Sequence, residues 1–516
     1  MKVFVISGVY LWWGKRSVLD ELNEYFGFDS IVCVDFSGTA YKKYRGNNMI
    51  KIVYPDYHHD MTESKYCNDT LNEMPPLSSK MIETLSFHIY ILYEMLGRYN
   101  DIDLYCARNE QVLKHLQYWN HVVDKYDIDL LISFGIPHNV FNYAIYALCE
   151  AKKIKTLVMS YALVPGYSYC HDSIYRKFDR LEKTYIELMK ENEQYSLSDF
   201  MRSYIDKMEF APVTLPQVSE IELQYFEIMR ESEQYSISDL EQLLKDKKKK
   251  DSSEPQQALR FWQVIISRSI PINDKMNIAR DVARKKVAKA SYDPNRYYLQ
   301  VSKEADFDER FIYVPLQVQP EATTSPFGSI FVNQILMVKI LSYCVKDTNI
   351  KLYVKEHPSQ KFYKKSMKYR RRSFYEDLLS LPNVTLIRKE INSYKLQEHC
   401  MAVATVTGTV IMESLFKGKP ALVFGNFINN LAPNAYQVSD VKSCEKALDD
   451  IINERFFISK KQRDAFLKAV ELECFRAYNS LSFQMLDDLS EDENADNILA
   501  ELKKCIKAWQ SEKESS

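Results

Sequence analysis

Glycine is scarce in this chain, with 12 among 516 residues, far below the roughly 7% of ordinary proteins. Each glycine therefore marks a place where the backbone needs a turn or a close approach. Eight fall between Gly8 and Gly166 and four between Gly328 and Gly425, with none from 167 to 327 or after 425. The map predicts two loop-rich α/β regions, one glycine-free helical stretch between them and another at the end. Other absences narrow the class. The ten cysteines are scattered, with no CxxC pair and no His/Cys ligand spacing, which fits a reduced cytosolic chain rather than a disulfide scaffold or zinc site. No apolar run reaches the roughly 18 residues that span a bilayer. Net charge is missing too: 68 basic against 70 acidic residues leave −2, so no global field advertises nucleic acid. The opening "MKVFVISGVYLWWGKR" has no small-residue cleavage site and reads as a buried strand, not a leader.

What is present has βαβ rhythm. "KVFVISG" (2–8), "SVLDELNEYFG" (17–27) and "SIVCVDFSG" (30–38) read as strand, helix and strand, and the rhythm returns over 127–166. It resumes at "RFIYVPLQV" (310–318), "IKLYVKEHP" (350–358), "NVTLIRKEIN" (383–392), "MAVATVTG" (401–408) and "PALVFG" (420–425). Such alternation implies parallel sheets, whose ligands gather at the carboxyl ends of the strands. The expected fold class is α/β, with two Rossmann-like domains and a helical insertion between them. The boundaries are 1–170, an insertion 171–300, 301–436, and terminal helices 437–516. Within the insertion, "YIELMKENEQYSLSDF" (185–200) matches "YFEIMRESEQYSISDL" (225–240), identical at ten of sixteen positions. Each copy predicts a helix followed by Ser-x-Ser-Asp, able to cap the next one.

Three of the twelve glycines fall within "ATVTGTVIMESLFKGKPALVFG" (404–425). A strand passing through Thr407-Gly408-Thr409 into a helix offers backbone N–H groups, two hydroxyls and a positive helix end, a combination that suits phosphate. The spacing is neither a Walker A loop nor GxGxxG. Glu413, one turn further, could accept hydrogen bonds from a ribose diol, or simply face solvent. His357 ends a neighbouring strand and could hydrogen-bond or protonate a departing phosphate. "PLQVQPEATTSPFGS" (315–329) supplies Gln317, Gln319, Glu321, Thr323 and Thr324 as a polar wall. In the first domain His58, His59, Asp60 and His138 are possible bases, and Trp12, Trp13 and Arg16 possible acceptor contacts. The three Asp-x-Asp matches carry no further ligands, so no metal is expected. The basic run Lys364, Lys365, Lys368, Arg370, Arg371 and Arg372 could meet anionic headgroups, lie in solvent, or contact donor phosphate.

"FIYVPLQVQPEATTSP", "LYVKEHPSQ" and "AVATVTGTVIMESLFKGKPALVFG", in this order, resemble the capsular polysaccharide biosynthesis family, related to bacterial Kdo transferases. The resemblance implies the GT-B glycosyltransferase architecture. The second domain would hold the nucleotide and the first the acceptor. It implies donor-site roles for His357, Thr407, Gly408, Thr409, Glu413 and Ser414, to which the adjoining motifs add Gln319, Glu321 and Pro358; the residues themselves offer His357 with Asp60 or His138 as catalytic groups, and Trp13 and Arg16 as acceptor contacts. The implied substrates are a nucleotide sugar, CMP- or UDP-linked, and a polysaccharide or lipid-linked glycan, with no other cofactor. The implied location is the cytoplasm, at the inner face of the membrane. Two other readings stay open: a teichoic-type polyol-phosphate transferase, and a non-catalytic subunit of a capsule assembly complex.

Overall fold

The computed structural model describes residues 1–6, 12–13, 16–35, 47–53, 71–96, 105–162, 164, 166–191, 195–210, 294–319, 321–357, 360, 369–478 and 489–515. Two sheets organise them. In the first, β1 (Lys2–Ile6), β2 (Ser30–Asp35), β3 (Met49–Val53), β4 (Leu130–Ser133) and β5 (Lys155–Tyr161) run parallel. The hairpin strand β6 (Tyr167–His171) then pairs antiparallel with β5. The second sheet is wholly parallel among its strands β7 (Phe311–Pro315), β8 (Lys351–Lys355), β9 (Val384–Ile387), β10 (Ala402–Thr405), β11 (Ala421–Val423) and β12 (Ala435–Gln437). The late strand β13 (Phe475–Arg476) returns to the first sheet and pairs antiparallel with β6.

The strands form because their residues are apolar on both faces, as covered parallel sheets require. Ile312, Val314, Leu352, Val354, Ala402 and Ala404 fill one side of the second sheet. Phe311, Tyr313, Tyr353 and Val403 fill the other. Among the helices, α1 (Val18–Phe26) is capped by Ser17 and ends at Gly27, whose φ of 59° is left-handed. On the first sheet lie α2 (Ser86–Leu96), α3 (Tyr105–Lys125) and α4 (Val140–Ala151). Next come α5 (Asp179–Lys190) and α6 (Asp199–Phe210), which contain the first repeat copy; Ser198 caps α6 by accepting from the Met201 N–H at 3.2 Å. The second copy lies outside the described residues. The second domain carries α7 (Gln334–Cys344), α8 (Arg372–Leu379), α9 (Ser393–His399) and α10 (Val410–Phe416), followed by α11 (Val441–Ile452) and α12 (Lys460–Glu473). The terminal α13 (Glu491–Glu514) crosses back, packing Ala495, Ile498 and Leu502 in one core with Val3, Val5 and Leu19 of the first domain.

The expectation of two Rossmann-like α/β domains is met. Strand order fixes where a ligand fits. The first sheet runs β13-β6-β5-β4-β1-β2-β3 and the second β9-β8-β7-β10-β11-β12. In each, the chain builds outward from the first strand on one side and then crosses to the other. The reversals fall between β1 and β4, and between β7 and β10. Ligands of open α/β sheets sit in the crevice at such reversals, beyond the carboxyl ends of the strands.

Candidate functional site

The loops after β7 and β10 are bound together by amide side chains. The Gln317 Oε1 accepts from the Thr407 N–H at 2.9 Å, and its Nε2 donates to Thr407 Oγ1 at 3.3 Å. Thr407 Oγ1 donates to the Thr323 carbonyl at 2.7 Å. Gln334 clamps Gln317 from behind, accepting from its N–H at 2.7 Å and donating to its carbonyl at 2.9 Å. Thr407 is thus buried scaffold, holding the loop from beneath, while Thr409 is exposed at the rim. The Gly408 N–H donates to Thr405 Oγ1 at 3.1 Å. Thr409 Oγ1 donates to Glu413 Oε1 at 2.9 Å, and Gln397 Nε2 donates to Glu413 Oε2 at 2.6 Å. Ser414 points elsewhere. Its buried hydroxyl donates to the Ile411 carbonyl at 2.9 Å and accepts from Asn434 Nδ2 at 3.0 Å, behind the helix.

The strand β8 contributes a second layer. Glu356 and Arg370 are both 0% exposed at their side chains and form an ion pair at 2.5 Å. Arg370 Nη1 donates to Gln319 Oε1 at 3.0 Å and Nη2 to the Gln317 carbonyl at 3.0 Å, and Tyr375 donates its hydroxyl to Glu356 at 2.8 Å. Burial pushes the Glu356 carboxyl upward, but Arg370 and the Tyr375 hydroxyl override it and hold the group below its usual range. The Glu356 carboxylate also accepts the His357 N–H at 2.9 Å, so the pair orients the backbone that presents His357. The half-buried His357 imidazole is pulled down to about 4 by burial, with Glu356 opposing. It is neutral at pH 7. On the opposite face Lys355 donates to Ser393 Oγ at 2.9 Å and to the Ile391 carbonyl, and burial lowers it to about 8.

The basic run of the sequence is therefore split. Arg370 is a buried structural cation, because only its guanidinium satisfies Glu356, Gln319 and the Gln317 carbonyl together, and it cannot meet headgroups. Arg372 is exposed and pairs with Glu376 at 2.7 Å. Lys364, Lys365 and Lys368 lie outside the described residues, as do Asp60 and Pro358.

Glu321 accepts from Thr323 Oγ1 at 3.0 Å and stays half-exposed beside the crevice. His138 is exposed on the loop after β4, at the reversal of the first sheet, with Nδ1 at 2.7 Å from the Ile136 carbonyl. Trp13 and Arg16 pair as a two-residue ribbon. The Arg16 guanidinium is taken by Glu21 at 2.8 Å and Asp496 at 2.7 Å, which makes it a clamp between α1 and α13. A cleft of about 840 Å³ opens between the domains, lined by Tyr175, Arg176 and Lys177 on one side and Gly425, Asn426 and Phe427 on the other. It excludes His357 and Thr407–Thr409; Gly425, packed on Thr407, is the nearest link. Asn426 Nδ2 donates to the Tyr175 carbonyl at 2.6 Å across this boundary.

Sequence reasoning missed Glu356, Lys355, Tyr375 and Gln360, whose side chain pairs with the Gln319 backbone at 2.9 and 3.1 Å. The one available signal was the alternation of "KLYVKEHP", which sends Lys355 and Glu356 to opposite faces of a buried strand.

Residues 254–438 match the model of a family described as capsule polysaccharide biosynthesis protein. The match is confined to this segment, about a third of the chain. No curated protein matches the chain. Among solved structures, the UDP-GlcNAc 2-epimerase from Methanocaldococcus jannaschii is 11% identical, covering 92% of this chain and 99% of its own, with a TM-score of 0.24. The Thermosulfurimonas dismutans KpsC β-Kdo 2,7 transferase is 11% identical, covering 82% and 97%, with a TM-score of 0.28. The Burkholderia vietnamiensis α,α-trehalose-phosphate synthase is 8% identical over 97% and 96%, with a TM-score of 0.26. Superpositions this loose transfer no residue role.

Proposed function

We propose that this chain is a GT-B-type glycosyltransferase, moving a sugar from a nucleotide donor to a capsular polysaccharide or its lipid-linked acceptor. The observation that carries the reading is the reversal between β7 and β10, where the Gln317–Thr407 lattice and the Thr409–Glu413 pair stand at the carboxyl edge of the sheet, with His357 following the neighbouring strand β8. The match of 254–438 to a capsule family supports the choice of polymer. In this reading Glu413 takes the ribose, while Thr409, Gly408 and His357 face the phosphates. A base from the first domain, Asp60 or His138, removes the acceptor proton, and the acceptor oxygen bonds to the anomeric carbon as the nucleotide leaves with the electron pair. Neutral His357 donates a hydrogen bond from its ring N–H to the departing phosphate and keeps its proton, so it stabilises the developing negative charge without protonating it.

The test is nucleotide binding. Among CMP, UDP, GDP and CDP, at least one is expected to raise the melting temperature of the parent protein. His357→Ala with Thr409→Ala removes two rim contacts, and each hydrogen bond to a charged group contributes about 1.5–3 kcal/mol. The double variant should fold like the parent yet lose at least tenfold in affinity, ~1.4 kcal/mol. Equal stabilisation of parent and variant would reject the site. Metal independence is tested separately. Among the described residues no three His, Cys, Asp or Glu gather into a ligand group. Sugar transfer is expected to continue in excess EDTA, and loss of activity restored by Mg²⁺ or Mn²⁺ would overturn that part.

A further inference from the structure

The first repeat copy is not a loose insertion. It docks on α12 through side chains that the second copy repeats. Leu188 and Leu197 are buried, and Tyr185 packs edge-on to Phe466 at 6.4 Å. The Ser198 N–H donates at 2.8 Å to Glu471, whose carboxylate is 7% exposed, and the Ser198 hydroxyl donates to the same oxygen. Lys468 donates to the Ser196 carbonyl at 2.8 Å, Lys461 to the Glu191 carbonyl at 2.6 Å, and Tyr195 closes the turn onto the Leu188 carbonyl. Forty residues on, the equivalents are Tyr225, Ile228, Tyr235, Ser236, Ile237 and Ser238. All the docking side chains are kept or replaced by a like apolar group.

Beyond the repeat the two copies part. Met201, Tyr204 and Ile205 of α6 are buried, and Tyr204 meets Phe416 of α10 at 5.6 Å. Glu209 pairs with Arg463 of α12. Their counterparts are Glu241, Leu244, Lys245 and Lys249. Two would bring charge to buried positions, and Lys249 would confront Arg463 with like charge.

We propose that this face of α12 is a docking site for either copy, and that residues 225–240 exchange with 185–200 within one chain. A tethered competitor acts at an effective concentration near millimolar, so exchange needs no partner. The flanking residues make the first copy the resident. Only that copy carries α6 onto α10, the helix holding Glu413 and following Thr409, so exchange withdraws a support from the candidate site. The exchange does not depend on which reaction the site performs.

Exposed cysteines report the occupant. Leu472 is 53% exposed on α12, and the Asp199 side chain 98% exposed beside Ser198. Leu472→Cys is combined with either Asp199→Cys or its counterpart Asp239→Cys, treated with a short bis-maleimide and mapped by peptide mass. The bridge from 199 should dominate in the otherwise unaltered chain. Glu241→Met, Lys245→Ile and Lys249→Glu, which leave the first copy intact, should raise the bridge from 239 at least about tenfold. Leu188→Asp with Leu197→Asp should abolish the bridge from 199 and let 239 replace it, on a chain of monomeric mobility. Absence of any rise at 239 in the first variant overturns the exchange. So does loss of 199 without gain of 239 in the second, or a 239 bridge found only between two chains.

Discussion

Arg370→Ala is expected to be among the most damaging single substitutions in the second domain. Removing one partner of a fully buried ion pair costs about 3–5 kcal/mol, because the remaining charge stays buried without compensation. Here that charge is the Glu356 carboxylate, 0% exposed, and Gln319 Oε1 and the Gln317 carbonyl lose their donor too. Calorimetry should show a fall of roughly 6–20 °C, taking 2–4 °C per kcal/mol for a domain of 150–250 residues. Replacing both partners, Arg370→Met with Glu356→Leu, should recover much of the loss, since an apolar pair of similar volume leaves no orphaned charge. A single variant within about 1 kcal/mol of the parent would show that the pair does not organise the domain.

The same pair gives a pH dependence of known sign. The Glu356 carboxyl titrates below its usual range when folded, because Arg370 and Tyr375 outweigh burial. A group whose folded pKa is depressed adds stability above its unfolded pKa and loses it as pH falls through the folded one. The parent should therefore hold its melting temperature down to the ordinary carboxylate range and lose it below. In Arg370→Ala the carboxyl keeps burial without its cation, its pKa rises, and the variant should instead gain stability on mild acidification. Melting curves between pH 3 and 7 separate the two behaviours.

How much of this was readable from residues alone follows from where the information sits. Strands buried on both faces announce themselves as short apolar runs, so "KVFVI" and "FIYVP" were legible, as was the polar Thr-Gly-Thr break after β10. Helical periodicity also places Thr409 and Glu413 on one face at i and i+4, as the 2.9 Å hydrogen bond shows. The same periodicity turns Ser414 by about 100° away from them, a distinction a motif does not make. Long-range pairing was the illegible part. Arg370 looked like surface charge because it stands among other cations, yet its partner Glu356 lies fourteen residues upstream, immediately after the buried strand β8. The terminal segment read as helices only, since nothing in "CFRAY" says that Phe475 will pair with Ser168 at the edge of the first sheet.

Gly425→Ala should join stability and ligand binding in one measurement. A Cβ at Gly425 would stand 2.4 Å from Thr407 Cγ2, 2.9 Å from Val406 Cγ1 and 2.9 Å from the Val406 carbonyl oxygen. The glycine backbone cannot retreat, because its N–H donates to the Val406 carbonyl at 2.8 Å and its own carbonyl accepts from Asn430 at 2.8 Å and Gln437 at 3.0 Å. Relief must come from Thr407, which is tied to Gln317 at 2.9 Å and to the Thr323 carbonyl at 2.7 Å. Overpacking of this kind costs about 1–3 kcal/mol, and it moves Thr407, which locks the loop after β10 to the loop after β7. Nucleotide affinity should therefore fall at least tenfold, ~1.4 kcal/mol, alongside the lowered melting temperature. Gly418→Ala is the control. That glycine ends α10 with φ at 63° and has nothing within 4 Å of an added Cβ, so alanine should cost about 1–2 kcal/mol of backbone strain alone. Both variants lose stability, but only the change at 425 should lose nucleotide. If Gly418→Ala weakens binding as much as Gly425→Ala, the effect is general loosening of the domain, and the Gln317–Thr407 lattice is not what shapes the crevice.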